Sequence, residues 1–589
     1  MPAIIRERVN LSTTSATQNP FSKSNGGSKP LTRETAQPTA EFAVVDLFAG
    51  PGGLAEGFSA VSDPSGKHPF KVVLSVEKEK AAHSTLLLRT FLRQFGSQLP
   101  PEYYNFLTKG TAEPDWKTLY PSQWRAANQD ALLLELGTAE TDKILGVRIE
   151  KIRQEYGKNT ILIGGPPCQA YSLVGRARNR GIAEYIAEDD PRHHLYEKYI
   201  SILTRLRPAA FVMENVKGML SSSLNHELIF ERVLRNLRSA GDGYTLVALT
   251  PRVRQQHDLL EPVLLPTDFV IRGEDFGLPQ ARHRVIVVGI RKDVANPTQT
   301  THFVQLIPKW TTRTKVEDVL AGMPKLRSGL SRDDSHADWA KAIKEAAATV
   351  CKSVGFFPIE EREEFRGRIK ECAEVAADTA RPLPRTASRP ARVGSKCPKT
   401  LKEWLLDPLL DVLPNNESRG HMTSDLARYL FAAVYAELMA VSPKADDFPE
   451  TLAPEHANWA SGKFADRFRV QVWGQPSTTV TSHISKDGHY FIHPDPEQCR
   501  SLTVREAARL QTFPDNYLFK GNRTEQFIQV GNAVPPFLAK QIGEAVNVLL
   551  QAASKAQTDA NGSKSWGGTP SERERSSQIL RSRSQSSYR

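Results

Sequence analysis

The stretch Phe42–Gly53, FAVVDLFAGPGG, decides the fold predicted for this chain. Its first seven residues are apolar except for Asp46 and predict a buried strand, because strands covered on both faces carry near-continuous apolar runs. A Gly-rich loop follows, and Leu54–Ala60 begins a helix. Glycines between a strand and a helix let the backbone approach a ligand, and the helix N-terminus favours an anionic group. The spacing does not meet the dinucleotide pattern G-x-G-x-x-G, so the stretch alone indicates either a nucleotide-like ligand or a simple tight turn.

Strands and helices alternate from residue 41 to about residue 292. Short apolar runs predict strands, and an apolar stripe stopped by Pro208 predicts a helix. The predicted strands are Lys71–Val76, Ile161–Ile163, Ala209–Met213 and Val285–Ile290, and the predicted helix is His194–Arg207. Residues 80–157 are predicted to be largely helical. This alternation predicts the α/β class, with a doubly wound sheet and a second, smaller domain.

Shifts in composition and periodicity divide the chain into five segments. Both ends are rich in small polar residues, and the C-terminal one is rich in Ser and Arg, so both are predicted to be disordered. The predicted segments are a disordered N-terminal tail (1–40), the first part of the α/β domain (41–293), a second domain (294–467), a return segment that completes the first domain (468–553) and a disordered basic tail (554–589). The return segment includes a predicted helix over Pro535–Leu550.

The net charge of +11 is unevenly distributed. The two tails contribute +7 of it, and the body between them contributes only about +4. This balance is compatible with nucleic-acid binding but does not establish it. The segment Arg381–Lys402 holds seven basic residues and no acidic one, between prolines. It is either a solvated linker or a segment that lies along a phosphate backbone.

Several protein classes are excluded by the composition. No run of 18 or more apolar residues is present, so no membrane span is predicted. Met1–Asn10 carries charges where a secretory signal would need an apolar core. The cysteines fit neither a metal-binding spacing nor an even disulfide set; they are Cys168, Cys351, Cys372, Cys397 and Cys499. We therefore predict a reduced, cytoplasmic protein without a metal site.

The run Pro166-Pro167-Cys168-Gln169 follows the predicted strand Ile161–Ile163. A sharp turn there would place the Cys168 thiol at the edge of the sheet. A cysteine in that position can be a nucleophile if a helix N-terminus or a positive charge lowers its pKa. The tetrapeptide alone favours a buried, inert cysteine.

Further motifs follow in a fixed order. Glu214-Asn215-Val216, Gln280-Ala281-Arg282-His283-Arg284 and Gln529-Val530-Gly531-Asn532 lie downstream of the Gly-rich loop and Cys168. Together they resemble the DNA (cytosine-5) methyltransferase family, in particular its bacterial restriction–modification members. The resemblance covers residues 41–292 and 468–547. It implies an S-adenosylmethionine-dependent methyltransferase sheet, with residues 294–467 as the target recognition domain that reads bases in the major groove.

The resemblance also implies catalytic roles. Cytosine C5 is a poor nucleophile, and addition of a thiolate at C6 pushes electron density towards it. Cys168 would be this nucleophile. Glu214, at the end of a predicted strand, would hydrogen-bond or protonate N3. Arg284 would contact the base, and Arg282 would brace the catalytic loop.

A set of residues would hold S-adenosylmethionine if the resemblance applies. Phe48 would pack on the adenine, Glu77 would accept bonds from the ribose hydroxyls, and Asn532 would contact the carboxylate end. Asp130 would be the acid that binds the adenine. The full predicted cofactor set is Phe48, Gly50, Gly52, Gly53, Leu54, Glu77, Asp130, Pro167, Leu195 and Asn532.

The predicted substrate is double-stranded DNA, with a cognate restriction endonuclease as a functional partner and a monomeric enzyme. Two alternatives stay open at this point. One is a tRNA cytosine-5 methyltransferase of the same family, which would keep the recognition segment small. The other is a catalytically silent DNA-binding relative, which would not need Cys168, Glu214 and Arg284.

Overall fold

The fold is that of a computed structural model, which describes residues 41–167, 195–224, 227–251, 264–295, 305–357, 359–386, 392–454 and 467–565. These residues belong to one compact unit, Ala40–Arg589. The predicted N-terminal tail lies outside the described residues, as do Cys168 and the end of the basic tail from residue 566.

Among the described residues, eight strands form the central sheet. They are β1 (Phe42–Leu47), β2 (Phe70–Glu77), β3 (Ala131–Leu133), β4 (Thr160–Gly164), β5 (Ala210–Val216), β6 (Tyr244–Val247), β7 (Val270–Arg272) and β8 (His283–Arg291). Their order is β3-β2-β1-β4-β5-β8-β6, and β7 pairs with β8. The strands from β3 to β5 are parallel, and β8 runs antiparallel to β5, β6 and β7. The strand order reverses between β1 and β4, which is where open α/β sheets bind ligands.

The described residues form sixteen α-helices, some of which cover both faces of this sheet. The helices are α1 (Gly53–Ser59), α2 (Lys80–Arg93), α3 (Pro101–Lys109), α4 (Trp116–Leu119), α5 (Pro121–Asp130), α6 (Ala139–Tyr156), α7 (Leu195–Leu206), α8 (Ile229–Ser239), α9 (Val316–Leu320), α10 (His336–Ser353), α11 (Ile359–Ala377), α12 (Lys399–Leu405), α13 (Thr423–Met439), α14 (Val504–Leu510), α15 (Arg523–Asn532) and α16 (Pro536–Ser565). Helices α1 and α16 pack on one face, and α6, α7 and α8 on the other. The doubly wound α/β sheet predicted from the sequence is therefore confirmed.

Three strands and one helix differ from the sequence-based expectation. Strands β3, β6 and β7 are absent from the predicted set, because three or four residues give too short a signal for any periodicity. Helix α16 continues to Ser565, past the predicted boundary of the disordered tail at residue 554. Lys555–Ala560 contains neither glycine nor proline, so nothing in it stops the helix.

The segment predicted as a second domain contributes to two apolar cores. Helices α10, α11 and α13 surround their own core, which contains Trp339 and Phe431. Phe468 and Ile492 from the return segment also pack into this core. Helices α9 and α12 pack instead against the core on the α1 face of the sheet. The boundaries 294–467 therefore remain a prediction, since both cores draw on residues from either side of them.

No described helix combines the length and the apolarity that crossing a membrane requires.

Candidate active site

Loops at the carboxyl edge of the sheet bring most of the predicted site residues together. Leu47 pairs with Val76 and Gly164, and Gly164 pairs with Met213. The residues that follow these positions are Phe48, Glu77, Gly165, Pro166, Pro167 and Glu214. Because the carboxyl ends of neighbouring parallel strands meet at one edge, these residues lie along a single rim.

The loop after β1 has a backbone shaped for close approach. Phe48, Gly50 and Gly52 have φ values of 57°, 57° and 101°, in the left-handed region that glycine adopts most readily. A Cβ atom added to Gly50 would meet no other atom within 4 Å, so this glycine faces open space. A Cβ atom on Gly53 would lie 2.2 Å from the carbonyl oxygen of Val534. The loop therefore presents open backbone at Gly50 while it is packed against the return segment at Gly53.

Glu77 is fixed at the end of β2. The Gly50 N–H donates to its Oε2 at 2.8 Å, and the N–H groups of Lys78 and Glu79 donate to its Oε1 at 2.9 and 2.8 Å. The carboxylate is largely buried. A carboxylate offers about four acceptor sites, so one site is left, on Oε2. The hydrogen bond from Gly50 therefore ties the Gly-rich loop to the Glu77 carboxylate, which is a hydrogen-bond acceptor on the same rim.

Glu214 and Arg284 form an ion pair at the end of β5. The Nε atom of Arg284 lies 2.9 Å from Oε1 of Glu214, and both side chains are largely buried. Burial lowers the pKa of the Arg284 guanidinium, and the charge of Glu214 opposes this shift. A Cβ atom on Gly165 would lie 3.0 Å from Oε2 of Glu214. The carboxylate thus sits directly against the segment that leads to Cys168.

The start of the Cys168 segment is anchored to β5. The side-chain amide of Asn215 donates to the carbonyl oxygen of Pro166 at 3.1 Å. Cys168 itself lies outside the described residues. The described cysteines form no disulfide bonds. Burial raises the pKa of Cys372 to about 12 and that of Cys397 to about 11. These thiols are therefore poor nucleophiles at neutral pH.

Arg282 is buried, and its described hydrogen bonds go to the return segment. It donates to the carbonyl oxygens of Val480 at 2.8 Å, Gly531 at 3.3 Å and Ala533 at 2.8 Å. Burial and the neighbouring charge of Arg284 hold its pKa well below the usual range. Its predicted contact, the loop after Cys168, lies outside the described residues. The observed role is to join β8 to the segment that carries Asn532.

Asn532 and Leu195 lie beside loops of the rim. Asn532 is the exposed last residue of α15 and is flanked by two of the residues whose carbonyl groups bind Arg282. Leu195 begins α7, and its Cδ2 would lie 3.8 Å from a Cβ atom on Gly137. Leu54 lies in the first turn of α1 and is buried. The structure thus places these three predicted residues in the segments that border the Gly-rich loop and β3.

Asp130 is not brought to this rim. It is the last residue of α5, and the pairing of β3 with β2 sets Leu133, rather than Asp130, opposite Glu77. Its Oδ1 accepts from Nη2 of Arg148 at 3.3 Å. Burial raises its pKa to about 6, although Arg148 opposes this. Its predicted adenine contact gains no support from this placement.

Sequence reasoning missed two buried groups next to the Gly-rich loop. Tyr517 donates from its hydroxyl to the carbonyl oxygen of Pro51. Asp46 is fully buried, and burial raises its pKa to about 8. A carboxylate inside an apolar strand is a signal that the sequence offers for Asp46. Tyr517 carries no such signal, because its partner lies far away along the chain.

The part of the chain that the structure describes contains no group of three or more His, Cys, Asp or Glu residues placed to hold a metal ion.

Comparisons with known proteins identify the family. The model of the C-5 cytosine-specific DNA methylase family matches residues 138–547. The chain belongs to this family. It is a DNA cytosine-5 methyltransferase whose substrate is DNA, and methyl transfer in this family depends on S-adenosylmethionine. The family, fold and activity expected from the motifs are confirmed.

The alignments of this methyltransferase with its relatives cover most of the chain. The type II methyltransferase M.Bpa9945I of Bacillus paralicheniformis is 30% identical over 527 residues, which cover 86% of this chain and 99% of the relative. The type II methyltransferase M.AgeI of Thalassovita gelatinovora is 28% identical, over 70% of this chain and 89% of the relative. A solved structure assigned as a DNA modification methyltransferase of an E. coli prophage is 19% identical, with a TM-score of 0.45, over 87% of this chain and 100% of the other.

Proposed function

We propose that this enzyme methylates C5 of a flipped-out cytosine within a specific duplex DNA sequence, through a covalent bond between Cys168 and C6. One observation carries the proposal. The Glu214–Arg284 pair lies at the carboxyl edge against Gly165, three residues before Cys168, on the rim that also holds the Gly-rich loop and Glu77. The nucleophile Cys168, the carboxyl group of Glu214 that binds N3 and the loop that binds the cofactor would thus lie next to one another.

The residues on this rim fit S-adenosylmethionine. Gly50 faces open space, and Oε2 of the Glu77 carboxylate next to it has one acceptor site left for a hydroxyl group. The residues proposed to hold the cofactor are Phe48, Gly50, Gly52, Gly53, Leu54, Glu77, Pro167, Leu195 and Asn532. The cofactor supplies an electrophilic methyl group when it is bound. Asp130 is not included in this set because it lies away from the rim.

The chain's own groups would carry the remaining chemistry. The Cys168 thiolate adds to C6 while a protonated Glu214 donates its proton to N3, which makes C5 nucleophilic and leaves the Glu214 carboxylate paired with Arg284. Arg284 keeps the Glu214 carboxylate in one orientation and presents a guanidinium to the base. After methyl transfer, a water molecule takes the C5 proton, the Cys168–C6 bond breaks so that the thiolate leaves, and N3 returns its proton to Glu214, which restores the aromatic ring. A base inside a duplex cannot reach these groups, so the cytosine must leave the stack.

We further propose that the enzyme acts as a monomer in the cytoplasm and is the modification half of a restriction–modification pair. The type II designations of M.Bpa9945I and M.AgeI support this role. Methylation would then protect the sequence from a cognate endonuclease.

Bisulfite sequencing tests the activity and the sequence specificity together. Plasmid DNA from methylation-deficient cells that express the enzyme should show protected cytosines at one recurring sequence. The Cys168→Ser variant, expressed to the same level, should leave every cytosine convertible. A folded wild-type enzyme that protects no plasmid cytosine would contradict the proposal, and methylation found only in cellular RNA would favour the tRNA alternative.

A further inference from the structure

We propose that Tyr517 is a positioning residue for the cofactor loop, which we define as Ala49–Gly53. It acts through the backbone of Pro51 and does not touch the reacting atoms. The inference rests on the proposed function, in which this loop holds S-adenosylmethionine.

The interaction between Tyr517 and the loop is direct and buried. The Tyr517 hydroxyl donates to the carbonyl oxygen of Pro51 at 2.5 Å, and the side chain is fully buried. Burial raises the pKa of Tyr517, so the hydroxyl keeps its proton for this bond. A Cβ atom on Gly52 would lie 3.1 Å from the same hydroxyl. The tyrosine therefore holds the loop at the residue between its two left-handed glycines.

The Tyr517 ring is itself held by a polar network. The guanidinium of Arg89 lies 4.9 Å from the ring centroid and binds the carboxylate of Glu56 on α1, with Nε to Oε2 at 2.9 Å. Arg89 also donates to Oδ1 of Asn516 at 3.3 Å, and Asn516 donates to Oδ2 of Asp407 at 2.7 Å. These interactions fix the ring on the side that faces α1. The hydroxyl is consequently presented to Pro51 in one orientation.

Loss of the Tyr517 hydroxyl should lower the fraction of molecules in which the cofactor loop has the conformation that binds the cofactor. A buried carbonyl without a donor is unfavourable, so the loop would shift towards conformations in which the Pro51 carbonyl reaches water. In the conformation that the structure describes, the Gly50 N–H donates to the Glu77 carboxylate, and a shift of the loop would strain this hydrogen bond. The apparent dissociation constant for a ligand rises by the reciprocal of the fraction that remains competent.

The test uses the full-length Tyr517→Phe variant, which deletes one oxygen atom. Calorimetric titration with S-adenosylmethionine should show a dissociation constant about threefold to tenfold higher than that of the wild type, which corresponds to a competent fraction of about one-third to one-tenth. The KM for the cofactor should rise in parallel. The kcat at saturating cofactor and the KM for DNA should stay unchanged, because cofactor binding restores the competent loop.

Tyr244→Phe is the matched control. The Tyr244 hydroxyl also donates to a backbone carbonyl, that of Pro208 at 3.0 Å, and this side chain is equally buried. This variant should lose thermal stability like Tyr517→Phe but keep the wild-type cofactor affinity. An unchanged dissociation constant in Tyr517→Phe, or an equal rise in both variants, would overturn the inference.

A third variant separates this inference from the proposed function. Glu77→Ala removes the acceptor beside the cofactor loop. If Glu77→Ala binds S-adenosylmethionine like the wild type, the proposed cofactor site is wrong and the inference fails with it. If Glu77→Ala weakens binding and Tyr517→Phe does not, only the role of Tyr517 is overturned.

Discussion

Glu214 and Arg284 form an ion pair beside Gly165, on the segment that leads to Cys168. Their ion pair spans the ends of β5 and β8, which are antiparallel neighbours in the sheet. A charged hydrogen bond between two largely buried groups fixes both orientations. The pair therefore offers a preorganised carboxylate where N3 of an extruded cytosine is proposed to lie.

Replacing Glu214 with Gln should slow methylation without abolishing DNA binding. Glutamine keeps the shape and can still accept and donate hydrogen bonds, but it cannot supply an acidic proton to N3. Since general acid–base groups contribute about 10²–10⁴-fold, the single-turnover rate should fall by that order. Fluorescence anisotropy should show nearly unchanged affinity for duplex DNA.

Glu274→Gln provides the control for this prediction. Glu274 is also buried and binds a neighbour of Arg284 on β8, with its Oε1 at 2.8 Å from Nε2 of His283. Its replacement should leave the single-turnover rate near the wild-type value. A wild-type rate in Glu214→Gln would remove Glu214 from the catalytic site.

The site residues differ in how far the sequence could predict them. Phe48 ends a predicted strand, and Glu77 and Glu214 each follow one, so the topology alone places them on one rim. The partners of Arg282 and Tyr517 lie far away in sequence and depend on how the return segment packs. Asp130 illustrates the limit of motif spacing, because an unpredicted strand, β3, follows it and sets its position.

At the scale of elements, hydrogen bonds at the N-terminus of helix α14 hold the return segment in place. Thr503 and Glu506 form a reciprocal cap, in which the Glu506 N–H donates to Oγ1 of Thr503 and the Thr503 N–H donates to Oε2 of Glu506. Arg500 donates to both carboxylate oxygens of Glu506, at 2.7 and 2.6 Å, and both side chains are buried. These buried hydrogen bonds give the segment Arg500–Glu506 a structural role.

Acid should destabilise the protein through Glu506. Burial raises the pKa of this carboxyl, but the charge of Arg500 outweighs burial and lowers it from 4.5 to about 2. A carboxyl with a lowered pKa in the folded state stabilises the fold above pH 4.5, and this contribution is lost as the pH falls towards 2. The difference corresponds to about 3 kcal/mol in the free energy of unfolding.

Urea unfolding between pH 7 and pH 3 measures this effect. Glu506→Gln should be less stable than the wild type at pH 7 and should lose less stability as the pH falls. Glu525→Gln is the control, because Glu525 forms the same kind of cap with Asn522 on α15 but is only half-buried. Equal pH dependence in Glu506→Gln and the wild type would exclude Glu506 as the acid-labile group.

Long periodic elements could be predicted, and short or composite ones could not. Strands β1, β2, β4, β5 and β8 and helix α7 follow their sequence patterns closely, since each is buried along its length or along one face. The second apolar core escaped prediction because its helices recruit residues such as Phe468 and Ile492 from the return segment. Sequence periodicity shows that a face is buried but not which distant element covers it.

At the scale of the whole molecule, the basic segment Arg381–Lys402 divides into two classes of residue. Arg385 is engaged in ion pairs with Asp334 and Glu417, at 2.8 and 3.0 Å, and so serves the fold. The exposed cations of the segment include Arg381, Lys396 and Lys402. Exposed cations of this kind are available to bind DNA phosphates.

Neutralising Arg381, Lys396 and Lys402 to glutamine should weaken DNA binding mainly at low salt. For every phosphate that the variant no longer neutralises, the dependence of log affinity on log salt should flatten by about 0.9. Specific and non-specific duplexes should be affected alike, because phosphates carry no sequence information directly. Anisotropy titrations at several salt concentrations measure the slope.

A triple variant of matched charge serves as the control. Arg125 on α5 and Lys143 and Lys151 on α6 are exposed, and α6 packs along the sheet face opposite α1. Their neutralisation should leave the salt slope unchanged. If the Arg381, Lys396 and Lys402 variant also keeps the wild-type slope, the segment is a solvated linker.

The formation of a covalent adduct tests the central claim most directly. A duplex with 5-fluorocytosine at the methylated position, identified by bisulfite sequencing, is incubated with the enzyme and S-adenosylmethionine. Fluorine at C5 cannot leave as a proton does, so a denaturant-stable complex should accumulate, and peptide mass spectrometry should locate the bond at Cys168. Cys168→Ser should bind the cofactor like the wild type but form no adduct and show no turnover. An active Cys168→Ser enzyme, or an adduct on any other residue, would contradict the account.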